Sequence, residues 1–191
     1  SPVQHTVFEA VREAMEQHLI APVLIGPAAK IRAALAQAGE RESDYEIVDT
    51  EHSHAAAAKA AEMAASGVVG AIMKGSLHSD ELLAAVVAPE AGLRTERRIS
   101  HAFMMLTPDY PRPFLITDAA VNIAPDLTGK TDIVRNAVGL WRVLWGPALP
   151  RVAILAAVET VNPKMQATLD AAALCKMADR GQIAQAVLDG P

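Results

Sequence analysis

The sequence is poor in cysteine and in aromatic residues, and each scarcity narrows the classes of protein it can represent. Cys175 is the only cysteine among 191 residues, so no disulfide can form within the chain, which fits a reducing cytoplasm. Aromatic residues make up 4% of the chain, so Ala, Val, Leu and Ile must build the core. The hydrophobic fraction of 51% is sufficient for that. We therefore expect a cytoplasmic globular protein with a sizeable aliphatic core.

The sequence also has no excess of basic residues and no long apolar run. The net charge is −5, which argues against a general nucleic-acid-binding surface, because such a surface needs a basic face. The apolar run at 152–158 is far too short to cross a bilayer. Residues 1–10 have neither the basic nor the apolar region of a signal peptide. The sequence thus predicts neither nucleic acid nor membrane as a partner.

Strand-like and helix-like patterns alternate along the chain, which is typical of βαβ units. They predict an α/β protein with three layers, α/β/α, in which the middle layer is a mainly parallel sheet. Gly146–Pro150 is a proline-containing linker, so we expect a first α/β domain at 1–147 and the start of a second, incomplete one at 148–191. The apolar runs predict strands at 22–25, 45–48, 68–73 and 152–158, an antiparallel pair at 99–106 and 114–117, and a last helix at 183–188.

Polar residues follow several of these predicted strands. In an open α/β sheet, ligands bind beyond the carboxyl ends of the strands, so these positions form a candidate binding site. Lysine there favours an anionic ligand. Arg98, just before the predicted strand at 99–106, adds a guanidinium whose fork matches phosphate geometry, and His101 lies within that strand. The simpler interpretation of each residue is a solvated loop or a helix cap. The candidate residues are Lys74, Gly75, Ser76, Arg98, His101, Asp118, Asn122, Glu159 and Asn162.

Three other groups of residues have structural interpretations that we favour. Gly129-Lys130-Thr131 lacks the first glycine of a phosphate-binding P-loop, where Ala124 stands, and is interpreted as a turn and a helix start. The His52-Ser53-His54 segment has no nearby third ligand, so no metal site is expected, and Ser53 is the expected cap of the next helix. Cys175 lies in a helical run and is interpreted as a small buried hydrophobic residue.

Five longer motifs stand out along the chain: MKGSLHSDELLAAV, GLRTERRISHAF, TDAAVNIAPDL, AAVETVNPKM and KMADRGQI. Together they resemble the phosphate acetyltransferase and phosphate butyryltransferase family. The likeness runs from about residue 22 to residue 191, and the butyryl branch looks closer because of TDAAVNIAPDL and AAVETVNPKM. It implies reversible acyl transfer, in which acyl-CoA and inorganic phosphate give acyl phosphate and CoA, with CoA as a substrate and no bound cofactor. It also implies a fold like that of isocitrate and isopropylmalate dehydrogenases, and a homodimer.

Members of that family continue well past the position that matches residue 191. The segment expected to follow carries a Ser-Arg pair and an Asp, which the resemblance associates with orienting CoA and assisting thiol proton transfer. No position of this chain matches them, so we expect a fragment and leave the catalytic residues unknown. The resemblance implies that Lys74, Arg98 and His101 lie near phosphate. The other candidates would line the cleft: Asp118, Asn122, Glu159 and Asn162.

Two alternatives to an acyltransferase remain open from the sequence. One is a catalytically inactive module that binds CoA or acyl phosphate in the same cleft. The other is a dehydrogenase of the same general fold, which would need metal-binding carboxylates and a nucleotide-binding loop. The sequence offers neither of those two features.

Overall fold

A computed structural model describes residues 2–191, with side chains from Val7 onward, and shows a mixed α/β protein. Helices and strands alternate over most of its length. The helices are α1 (Pro2–Glu16), α2 (Ala28–Ala38), α3 (Ser53–Ala65), α4 (Ser79–Val87), α5 (Leu127–Trp145) and α6 (Gln166–Asp179). The strands are β1 (Val23–Gly26), β2 (Glu46–Asp49), β3 (Ala102–Thr107), β4 (Tyr110–Thr117), β5 (Arg151–Ala153) and β6 (Val187–Asp189).

The strands pair two by two. Strands β1 and β2 are parallel, β3 and β4 are antiparallel, and β5 and β6 are parallel. The expected mixture of helices with parallel strands is confirmed, and so is the antiparallel pair. In the part of the chain described, these strands form three separate two-stranded sheets and no single continuous one. The dehydrogenase-like arrangement of layers stays an expectation.

The chain divides into two compact units, one ending at Thr95 and the other beginning at Glu96. The expected domain boundary between residues 147 and 148 stays a prediction. Within the second unit, side chains from both sides of that position share one hydrophobic cluster. Its buried members are Val134, Val138, Leu174 and Ile183.

The first unit is built around the β1–β2 pair and the helices that cover it. Leu24 pairs with Ile47, and the buried cluster of Val11, Leu35 and Tyr45 packs beside them. Helix α2 ends where Gly39 adopts a left-handed conformation with φ 73°, which glycine accepts without steric cost.

Two predictions for the first unit are wrong. Helix α3 begins at Ser53, and its cap is His52, whose Nδ1 accepts a hydrogen bond of 3.1 Å from the N–H of Ala55. The run at 68–73 is not a strand but an irregular segment. A strand needs a neighbour to satisfy its backbone groups, and this run pairs with no strand among the described residues.

In the second unit, the β3–β4 hairpin is followed by the longest helix, α5. Phe103 lies opposite Ile116, with an irregularity in register between Met105 and Thr107. Helix α5 buries Ile133, Val134 and Val138 and presents its other side to the segment before β3. That contact positions the candidate site.

The predicted last helix at 183–188 is also wrong. Val187–Asp189 forms β6, and Leu188 pairs with Val152 of β5. The predicted strand at 152–158 is shortened to β5, Arg151–Ala153. Short apolar runs do not distinguish a buried strand from a helix, and here the pairing partner decides the outcome.

Candidate functional site

A hydrogen-bonded network links three of the predicted site residues in the second unit. Asn122 lies in the loop between β4 and α5, and its amide nitrogen donates to the Asp118 carboxylate and to the carbonyl of Ile99, the latter at 3.0 Å. Its amide oxygen accepts a hydrogen bond of 3.3 Å from Nη1 of Arg98. Because donors meet acceptors on both sides of the amide, its orientation is fixed. The structure therefore brings Arg98, Asn122 and Asp118 together.

Asp118 is the anchor of this network. Burial alone would raise the pKa of Asp118, but hydrogen bonds from the Asn122 side chain and from backbone N–H groups outweigh burial and lower it. One of those bonds runs from the N–H of Val121 to Oδ1 at 3.0 Å. The carboxylate is therefore charged at neutral pH and acts as a fixed acceptor for Asn122.

The main chain of Arg98 is held by two side chains of α5. Oδ2 of Asp132 accepts the Arg98 N–H at 3.1 Å, and Nδ2 of Asn136 donates to the Arg98 carbonyl at 2.8 Å. The same amide nitrogen lies 2.9 Å from Oγ of Ser100. Since this segment is not part of a strand, these side chains satisfy the backbone groups that a neighbouring strand would otherwise satisfy.

Arg98 carries a positive charge that no acidic partner neutralises at close range. Arg98 is exposed, and among the described residues no carboxylate lies within ion-pair distance of its guanidinium. The hydrogen-bond partner of that guanidinium, Asn122, is uncharged. An exposed arginine with a neutral partner remains available to an anion.

His101 lies next to this network through its backbone. Oγ1 of Thr117 donates to the His101 carbonyl at 2.8 Å, which ties the start of β3 to the end of β4. The imidazole packs edge-on against Phe103 with ring centres 4.2 Å apart. Its Nδ1 is buried and has no hydrogen-bond partner in the described part of the protein. The imidazole is therefore held mainly by packing.

Glu159 and Asn162 have no described contact with this network. Oδ1 of Asn162 accepts the N–H of Lys164 at 2.9 Å, and the Asn162 N–H donates to Oγ1 of Thr168 at 2.9 Å. Asn162 thus shapes the turn before α6, which is the capping interpretation of that residue. Glu159 is exposed and has no hydrogen bond or ion pair within residues 2–191.

Lys74, Gly75 and Ser76 form an exposed loop in the first unit. Nζ of Lys74 donates to the carbonyl of Leu77 at 3.0 Å and approaches that of Gly75 at 3.4 Å. These contacts fold the lysine back over its own loop, just before α4. The expected strand before Lys74 is missing, so the loop does not follow a sheet edge.

Sequence reasoning missed Asp132 and Asn136. A signal was present: two polar residues four positions apart lie on one side of a helix whose other side carries Ile133, Val134 and Val138. Such a pair predicts a contact with a polar segment. The sequence alone does not indicate which segment.

The Gly129-Lys130-Thr131 segment is part of a helix start, as interpreted, whereas Cys175 is only partly buried. Gly129 lies in the first turn of α5, where its N–H donates to Oδ1 of Asp126 at 2.8 Å. Lys130 pairs with the buried carboxylate of Asp170. Within residues 2–191 there is no cluster of three or more metal-ligating side chains, so His52 and His54 belong to no such group.

A groove of 890 Å³ lies between α3 and α4 in the first unit. Alanines line it together with four acidic residues, Glu62, Asp80, Glu81 and Glu90. The predicted site residues do not line it. Its acidic lining is poorly suited to phosphate.

Comparison with known proteins gives one consistent result. A family model described as "Phosphate acetyl/butaryl transferase" matches residues 54–191. Phosphate acetyltransferase of Rickettsia felis is 54% identical over 98% of this chain, and phosphate butyryltransferase of Clostridium acetobutylicum is 40% identical over 97%. These matches cover 54% and 61% of the two relatives, so the chain spans little more than half their length.

A solved structure supports the same relationship. The crystal structure of a branched-chain phosphotransacylase from Enterococcus faecalis V583 superposes with a TM-score of 0.73 at 26% identity. The match covers 90% of this chain and 68% of that one.

The prediction that the butyryl branch is closer is not supported. The Rickettsia felis acetyltransferase shares more identity with the chain than the Clostridium acetobutylicum butyryltransferase does over a similar span. With a family model covering more than half of the chain and relatives well above 30% identity, the chain belongs to the phosphate acetyl/butaryl transferase family.

Proposed function

We propose that the protein is a phosphate acyltransferase that moves a short acyl group, acetyl or butyryl, reversibly between coenzyme A and inorganic phosphate. The observation that carries the proposal is the 54% identity to a phosphate acetyltransferase across almost the whole chain. The names of the relatives favour acetyl as the faster substrate.

The network around Arg98 supports this chemistry. In the forward reaction an oxygen of phosphate attacks the thioester carbonyl, a C–O bond forms, the C–S bond breaks, and CoA leaves as a thiolate that takes up a proton. Phosphate must be held and oriented for that attack. We propose that Arg98 binds phosphate, with His101 as a further contributor and Asp118 and Asn122 beside it. We propose separately that Lys74, in the first unit, binds phosphate.

The remaining candidates and the cellular setting are also part of the proposal. We propose that Gly75, Ser76, Glu159 and Asn162 contribute to binding of acyl-CoA or phosphate, without a resident cofactor. None of the helices in residues 2–191 has the length and apolar character of a membrane span. We propose a homodimer acting in the cytoplasm, without nucleic acid or membrane as a partner; sedimentation of the purified protein would test the dimer.

The test is phosphate-dependent release of free thiol from acetyl-CoA and from butyryl-CoA, measured side by side. We expect release that requires phosphate and is faster with acetyl-CoA. Arg98→Ala should raise the phosphate concentration needed, whereas Lys30→Ala, an exposed lysine on α2, should not. Stabilisation by CoA without any thiol release would overturn the proposal in favour of an inactive binding module.

A further inference from the structure

We infer that Asp132 and Asn136 are positioning residues that fix Arg98 for binding an anion. The inference rests on the proposed role of Arg98 in binding phosphate. The two residues lie one turn apart on α5, and they hold the N–H and the carbonyl of the same residue. Neither side chain is expected to touch the substrate itself.

The contacts leave Arg98 little conformational freedom. The segment before β3 has no regular secondary structure, so its backbone would otherwise sample many conformations. With Asp132 on the amide side and Asn136 on the carbonyl side, the backbone of Arg98 is fixed at both of its polar groups. Asn122 then restrains the guanidinium from the loop that follows β4. The arginine is thus restrained at its backbone and at its tip.

The chemistry of the partners preserves the charge of Arg98. Asp132 is largely buried, with 15% of its side chain exposed, and its second oxygen faces Arg135 at 3.7 Å. The negative charge of Asp132 therefore faces Arg135 and the backbone N–H of Arg98, not the Arg98 guanidinium. The partner of that guanidinium is the neutral amide of Asn122. An arginine held rigidly without a competing carboxylate loses less entropy when it binds an anion.

The first experiment measures binding of inorganic phosphate by calorimetric titration, which does not depend on turnover. Asp132→Ala and Asn136→Ala should each weaken phosphate binding by about tenfold, roughly the effect of losing one hydrogen bond. Asp132→Asn keeps an oxygen acceptor for the Arg98 N–H and should recover most of the affinity. Thr128→Ala, an exposed position in the first turn of α5, serves as the matched control.

A double-mutant comparison separates positioning from a general structural effect. If Asp132 acts through Arg98, then adding Asp132→Ala to Arg98→Ala should change phosphate affinity by less than about twofold. The thermal midpoint of each variant shows whether it is folded. If Asp132→Ala does not fold, the same measurement is made with Asn136→Ala, in wild type and in Arg98→Ala.

The outcomes are distinct. The inference would be overturned if Asp132→Ala lowered phosphate affinity equally in wild type and in Arg98→Ala. It would also be overturned if the wild-type protein did not bind phosphate. Phosphate binding that follows the expected pattern, in a protein that releases no thiol from acyl-CoA, would support the positioning role while refuting the proposed transferase activity.

Discussion

The carboxylate of Asp170 on α6 accepts a hydrogen bond from Nζ of Lys130 on α5, and the Asp170 side chain is only 8% exposed. Gln166 donates to the other carboxylate oxygen at 2.8 Å. The pKa of Asp170 is lowered, chiefly by the hydrogen bond from Lys130, although burial acts in the opposite direction. The pair therefore joins the two helices of the second unit through a charged contact at the edge of their hydrophobic cluster.

Removing this carboxylate should be costly for stability. Asp170→Ala leaves Lys130 partly buried without its partner, and we expect the free energy of unfolding to fall by about 3 kcal/mol. The matched control is Asp179→Ala on the same helix, whose surface pair with Lys176 should be worth less than about 1 kcal/mol. Urea denaturation of both variants measures the difference. Equal losses would contradict the prediction.

The same pair predicts a specific sensitivity to acid. Because the folded-state pKa of Asp170 lies below its unfolded value, its contribution to stability is complete above the unfolded pKa of about 3.9 and is lost as the pH falls through the folded pKa. Asp170→Asn should therefore lose less unfolding free energy than wild type between about pH 5 and pH 2. Urea denaturation across that pH range tests this prediction. If the unfolding free energies of wild type and Asp170→Asn fell in parallel, Asp170 would not be the source of the acid sensitivity.

Tyr45 should titrate unusually late. Burial, followed by its hydrogen bond of 3.0 Å to Glu40, raises the pKa of Tyr45 to about 12. The raised pKa means that the folded state holds this proton more tightly, so stability falls as the pH rises from the unfolded pKa of about 10 towards 12. Ultraviolet titration should show this late phase in wild type and lose it in Tyr45→Phe. A wild-type titration without the phase would refute the assignment.

Cys175 should be unreactive in the folded protein. Burial raises the pKa of its thiol, and the nearby carboxylates of Asp189 and Asp179 raise it further. Since the thiolate is the reactive form, modification by a disulfide reagent near neutral pH should be at least about tenfold slower than in urea. Cys175→Ala provides the blank. Rapid modification of the native protein would show instead an accessible thiolate.

Lys74 lies in the exposed loop of the first unit, and its own proposed binding of phosphate can be tested separately. If Lys74 binds phosphate, Lys74→Ala should raise the phosphate concentration for half-maximal rate by about tenfold. Lys30→Ala is the matched control, because Lys30 is also exposed. An unchanged phosphate requirement would show that the contacts of Lys74 with Leu77 and Gly75 serve only its own loop.

The sequence predicted elements best where local pattern and tertiary packing agree. The strands near Leu24 and Ile47 are examples, since each is a short apolar run bounded by clear turns. The strand predicted at 68–73 is absent, because strand character depends on a pairing partner. The helix predicted at 183–188 is instead partly a strand, because Leu188 pairs with Val152. Pairing is a long-range property, so a local pattern cannot determine it.

For the candidate site, residue type and chain position singled out Arg98, Asp118 and Asn122 as binding candidates, and only the structure shows that the three lie together. Residue type and position were not enough to find Asp132 and Asn136, which lie in the middle of a helix. Side chains of that kind are identified by what they touch, and the Arg98 backbone is distant from them in sequence.

The placement of Asp132 and Asn136 also affects how this protein would respond to engineering for heat resistance. Asp and Asn are poor helix formers compared with Ala, so a stabilisation programme guided by helix propensity would choose positions 132 and 136 for replacement. Each replacement would gain intrinsic helix stability while releasing the segment that carries Arg98. Under the proposed positioning role, thermostable variants selected without an assay for phosphate would lose affinity through two side chains that do not themselves bind phosphate.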